Sequence, residues 1–86
     1  MPWSIRWTDQ ALRDLSSLDR AVAKRVAAKL ERAAEDPAHY FIRLVGGDDV
    51  KLRIGDYWLL AVLSHGEQTI VVERVDHRRR VYRRRP

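Results

Sequence analysis

Large apolar and polar residues alternate through Trp3-Ser4-Ile5-Arg6-Trp7, the period-two signature of a half-buried strand. The period then changes. Thr8 offers a helix N-cap with Asp9 in the first turn, and Ala11, Leu12, Leu15 and Leu18 recur at helical spacing, so a helix is expected over residues 9–17. Asp19 can cap a second one. From residue 20 to 35, Val22, Val26, Leu30 and Ala33 form an apolar stripe widened by Ala23, Ala27 and Ala34, while Arg20, Lys24, Glu31, Arg32 and Glu35 take the other face. Asp36-Pro37 ends this helix, because the residue before a proline is pushed out of the helical region. The junction at Leu18-Asp19 folds the two helices into an antiparallel hairpin.

Residues 37–48 carry loop signals, chiefly Pro37 and Gly46-Gly47, with Phe41-Ile42-Arg43-Leu44 as a stretch that can anchor on the core. Sheet periodicity follows. In Val50-Lys51-Leu52-Arg53-Ile54 the apolar side chains share one face and Lys51 and Arg53 the other. Gly55-Asp56 reads as a two-residue hairpin turn, pairing Ile54 with Tyr57 and Arg53 with Trp58. That register places Lys51, Arg53, Trp58, Leu60 and Val62 on one face, and Tyr57, Leu59, Ala61 and Leu63 with the core. Residues 57–63 are apolar on both faces and read as a central strand. A turn at Ser64-His65-Gly66-Glu67 leads to a last strand over residues 68–75. The fold class expected is α+β: an N-terminal strand, a helical hairpin, then a three-stranded antiparallel meander, forming one sheet with the helices on one face. The other face is left open.

The 86 residues suit one domain with a small core. Without cysteine there is no disulfide framework or thiol nucleophile, and a reducing cytoplasm is the expected setting. No signal-peptide core is seen at the N-terminus, and the longest apolar run is far short of the roughly 20 residues that span a bilayer. Charge changes the picture more. From Arg74 onward seven arginines stand against one acid, a formal +6, which leaves −1 for the rest of a chain whose total is +5. A run this dense cannot desolvate itself, so it must meet water or a polyanion, and phosphate is the obvious one.

Together these features resemble the RelE/ParE superfamily of toxins from toxin–antitoxin pairs, over nearly the whole chain. The residues that carry the resemblance are Leu44-Val45-Gly46-Gly47, Val50-Lys51-Leu52-Arg53-Ile54-Gly55-Asp56-Tyr57, and the ending Val75-Asp76-His77-Arg78-Arg79-Arg80-Val81-Tyr82. The RelE branch implies an endoribonuclease that cuts messenger RNA on the ribosome and is held inactive by a cognate antitoxin in a hetero-oligomer. The ParE branch implies inhibition of DNA gyrase. The His77-Arg78 to Tyr82 ending looks more like the RelE side. By the same resemblance, Lys51 and Arg53 fall on the basic strand residues of the active surface, Arg78 on the arginine after the last strand, and Tyr82 on the C-terminal tyrosine. One position departs: active members typically carry an arginine where this chain has Trp58.

The chemistry implied needs a base for the 2′-hydroxyl, a clamp for the phosphate and an acid for the leaving oxygen, with no obligatory metal or cofactor. Arg78 is the expected clamp, since a guanidinium fork binds two phosphate oxygens, helped by Lys51 and Arg53. Cationic neighbours favour the phenolate of Tyr82, which then serves as base or holds the hydroxyl. His77, an imidazole, can take the acid or base role. Trp58 offers a stacking surface for a base, and Arg74, Arg79, Arg80 and Arg83 are expected phosphate contacts. Asp48, Asp49 and Asp56 lack the spacing of a metal-ligand set. Two further readings stay open: a basic module that binds RNA or ribosome without cutting, and a gyrase-directed toxin.

Overall fold

The computed structural model describes residues 2–77, in the order β1 (Ser4–Trp7), α1 (Asp9–Ser16), α2 (Arg20–Glu35), α3 (Pro37–Tyr40), β2 (Ile42–Arg43), β3 (Asp49–Ile54), β4 (Tyr57–Ser64) and β5 (Thr69–His77). The strands form one sheet in the order β1-β5-β4-β3-β2. The α+β class and the meander of β3, β4 and β5 are as expected, and β4 is indeed central. Ile54 pairs with Tyr57 and Arg53 with Trp58, the register that the two-residue turn dictates. Gly55 takes φ +60°, a left-handed conformation that a side chain disfavours.

Three features go beyond the hydrophobic pattern. β1 runs parallel to β5, Ser4 opposite Thr69 and Trp7 opposite Val72. The segment read as a loop holds one helical turn, opened by Pro37 at its first position, and a two-residue strand whose Ile42 and Arg43 pair with Lys51 and Val50. Phe41 between them is buried, so the anchor lies there while Ile42 stays exposed. The last strand also runs two residues further than expected, to His77.

The core lies between the helices and one sheet face. Val26, Leu30, Ala33 and Ala34 of α2 and Ala11 of α1 meet Val50, Leu52, Ile54, Leu59, Ala61, Ile70, Val72 and Val75. The expected stripe holds along α2 except at Ala27, which is exposed. In α1 it turns: Leu12 is 48% exposed, while Asp14 faces inward at 8%. Thr8 caps α1 by accepting the Ala11 N–H at 3.1 Å. Asp19 occupies the cap position of α2, but its side chain makes no capping hydrogen bond. The helices also attach to different strands, α1 packing along β5 and α2 reaching β3.

Candidate functional site

Strand alternation and register build the site on the sheet face away from the core. Across β3, β4 and β5, Arg53, Trp58 and Asp76 form one row, and Lys51, Leu60 and Arg74 the next. Neighbouring strands lie about 4.8 Å apart, so each row spans about 10 Å. Ile42 extends the second row onto β2, directly opposite Lys51. The face therefore sets three cations and an indole around an apolar patch. Leu60 is buried here, Val62 and Val71 half-buried.

Each cation is held by a specific contact. The Lys51 ammonium lies over the Trp58 ring, 4.5 Å from its centroid. The Arg53 Nε donates to the carbonyl of Gly55 at 3.0 Å, and Lys29 of α2 donates to the carbonyl of Arg53 at 2.8 Å. These bonds tie the exposed Arg53 to the turn and the turn to α2.

Arg74 is held differently. Its Nε donates to Asp14 Oδ2 at 2.8 Å and its Nη2 to Asp14 Oδ1 at 3.4 Å, with Asp76 Oδ2 at 3.9 Å. The sequence suggested Arg74 as a phosphate contact; in the fold its guanidinium is first of all the partner of Asp14. Burial pushes the Asp14 carboxyl up, but hydrogen bonds from Arg74, the Val75 N–H and Gln10, with the charge of Arg74, outweigh it and hold the carboxyl below its ordinary value.

A β-bulge decides what β5 presents. Leu60 pairs with Arg74 but Ala61 with Val72, so Glu73 is an extra residue. Without it, the alternation that buries Ile70 and Val72 would bury Arg74 and expose Val75. With it, Arg74 and Asp76 join the open face and Val75 enters the core.

His77 does not join Lys51 and Arg53. It pairs with Tyr57 on the helix side of the sheet, the rings 5.5 Å apart at 76°, and its N–H donates to Asp76 Oδ1 at 2.8 Å. Lys51, Arg53, Trp58 and Arg74 share the open face; Arg78, Arg79, Arg80, Tyr82 and Arg83 lie outside the described residues. Sequence reasoning missed Asp14, although its place was visible: three residues after Ala11 and four before Leu18, it is an acid on the apolar side of an amphipathic helix. No group of three metal-ligating side chains occurs among the described residues. No described helix is long and apolar enough to cross a membrane.

Comparison with known proteins gives this chain a family. Toxin RelG of Mycobacterium tuberculosis is 35% identical over 91 residues, covering 98% of this chain and all of RelG. Among solved structures, the toxin–antitoxin complex RelBE2 of M. tuberculosis contains a chain that superposes with a TM-score of 0.80 at 28% identity, over 90% of this chain and 99% of that one. The fold is also that of a chain in the intact E. coli RelBE toxin–antitoxin complex, with a TM-score of 0.76 at 19% identity over 87% and 95% of the two chains. Residues 5–82 match the family described as ParE toxin of type II toxin-antitoxin system, parDE. With that match over most of its length, the chain belongs to the ParE toxin family of the RelE/ParE superfamily.

Proposed function

We propose that this chain is a toxin that cuts messenger RNA on the ribosome. The observation that carries the reading is the grouping of Lys51, Arg53 and Trp58 on the sheet face opposite the helices, with Trp58 on the strand next to β5, whose end leads into Arg78 and Tyr82. In the proposed reaction the 2′-oxygen attacks the adjacent phosphorus and the bond to the 5′-oxygen breaks. The leaving 5′-oxygen takes up a proton from solvent water, and the products are a 2′,3′-cyclic phosphate and a 5′-hydroxyl end. Tyr82 takes or holds the proton of the 2′-hydroxyl, Arg78 clamps the phosphate, and Lys51 and Arg53 add positive charge where negative charge builds up. Arg79, Arg80 and Arg83 contact neighbouring phosphates. His77 keeps a place at the junction of sheet and tail; with its ring on Tyr57, we assign proton transfer to Tyr82 first.

The same reading gives the toxin a cognate antitoxin and a hetero-oligomeric resting state in the cytoplasm, by analogy with the RelBE2 complex. An amphipathic helix with acidic side chains would suit the half-apolar, cation-bordered face.

Primer extension on messenger RNA incubated with translating ribosomes tests the nuclease directly. Cuts at the decoding position by the wild type, reduced at least a hundredfold in Arg78→Ala, are expected if Arg78 is the clamp. A second reading is gyrase inhibition, which the ParE branch implies, and the matched family is described as a ParE toxin. Absence of any cut, with loss of DNA supercoiling by gyrase at equimolar protein, would replace the first reading by the second.

A further inference from the structure

The resemblance left Trp58 as a stacking surface for a base in place of an arginine, and the structure sets a cation of the neighbouring strand against its ring. Its ring face is occupied by the Lys51 ammonium, 4.5 Å from the centroid. Lys51 and Trp58 are diagonal neighbours on β3 and β4, since Lys51 pairs with Leu60 and Arg53 with Trp58. Diagonal positions on one sheet face are within reach of long and aromatic side chains. The direct neighbours of Lys51 on this face, Ile42 and Leu60, are both apolar and suit its methylene stem. A planar ring that attracts the cation narrows the positions open to an unbranched ammonium side chain.

We propose that Trp58 is a positioning residue that holds the Lys51 ammonium over the sheet so that it meets a phosphate of bound RNA. A base stacking on the same ring face would have to displace Lys51, so the indole serves the backbone of the RNA rather than its bases. The inference rests on the RNA-cleaving reading for its ligand but not for its geometry.

A double-mutant cycle tests it, with Trp58→Leu, Lys51→Met and the combination. Two quantities are read: the dissociation constant for a single-stranded 2′-O-methyl oligoribonucleotide, which offers phosphates without an attacking hydroxyl, and kcat/KM for messenger cleavage on ribosomes. Each single substitution is expected to weaken oligonucleotide binding about threefold to tenfold, and the double substitution no further than the worse single one. Trp58→Phe, which keeps a ring, is expected to restore most of the loss. Independent of RNA, the ε-methylene resonance of Lys51 is expected upfield in the wild type and at its ordinary position in Trp58→Leu.

Multiplying losses, with Trp58→Leu as harmful in the Lys51→Met background as alone, would overturn the proposal and make Trp58 an RNA contact in its own right. An unshifted Lys51 resonance in the folded wild type would overturn it too. A wild type that binds the oligonucleotide but cuts nothing would sink the nuclease reading while a non-additive cycle upheld the pair. Failure to bind or cut at all would overturn both, and the nuclear magnetic resonance shift would still report whether the contact forms.

Discussion

Asp14 of α1 accepts the backbone N–H of Val75 in β5 at 3.0 Å, so a helix carboxylate continues the edge that a strand has left. β1 stops at Trp7, opposite Val72. Thr8 then donates its N–H to the Val72 carbonyl at 3.0 Å and its hydroxyl to the Glu73 carbonyl at 3.3 Å. Asp14, reached through the first two turns of α1, takes the next inward amide and the Arg74 guanidinium together. The last residues of β5 are therefore aligned by α1, and through them the point from which the basic tail departs.

Removing that carboxylate should cost more than a surface ion pair. Asp14→Ala leaves a buried amide and a partly buried guanidinium without their acceptor, and about 2–3 kcal/mol of stability should be lost. Asp14→Asn retains one acceptor oxygen and should lose about 1 kcal/mol. Urea unfolding followed by tryptophan fluorescence measures both; equal, near-zero losses would show that β5 aligns without α1.

The same group gives an acid-dependent contribution. Its folded-state value lies below the unfolded one, so folding is favoured more when it is ionised. The contribution is complete above the unfolded value, about pH 4, and disappears as pH falls through the folded one. The stability gap between wild type and Asp14→Asn should be full at pH 7 and shrink on acidification below about pH 4. A gap that stays constant down to pH 2.5 would contradict the assignment.

Gly55→Ala should destabilise the hairpin by about 1–2 kcal/mol, because the left-handed φ of +60° disfavours a Cβ. No atom lies within 4 Å of where that Cβ would stand, so the penalty is conformational and not a clash. Gly55→Asn, which tolerates this conformation better, should lose less in thermal unfolding. A clash, by contrast, would penalise Asn at least as much as Ala.

Arg53→Ala should reduce the salt dependence of RNA binding. Each lost phosphate contact flattens the slope of log affinity against log salt by about 0.7 for a single strand. An unchanged slope would place Arg53 outside the phosphate path and leave it a support of the hairpin turn through its bond to Gly55.

Much of this arrangement follows from local pattern. Alternation in Val50-Lys51-Leu52-Arg53-Ile54, together with a two-residue turn, dictates which residues of β3 and β4 share a face, since shifting the register by one would bury Lys51 and Arg53. The stripe along α2 marks its buried side for the same reason: burial of apolar surface dominates, and only one helix face can supply it. Family membership was also legible, because the basic strand and the arginine-rich ending are short, contiguous motifs.

What local pattern could not decide depends on residues far apart in the chain. Nothing within Thr69 to His77 announces that Glu73 bulges; the bulge appears because Val72 and Val75 both reach the core while Arg74 finds Asp14, 60 residues earlier. The two-residue strand β2 was invisible, for two residues have no period, and only pairing with β3 defines it. His77 was expected to join the site as an acid or base because it stands at the end of the last strand, yet its pairing with Tyr57 turns it to the helix side. Sequence alone thus determined the longer elements, the buried faces of α2, β3 and β4, and the family, all properties of neighbouring residues. Tertiary structure decided which cations stand on an open face, which are held by an acid, and that Trp58 faces a lysine, because these depend on contacts between strands and helices distant in sequence.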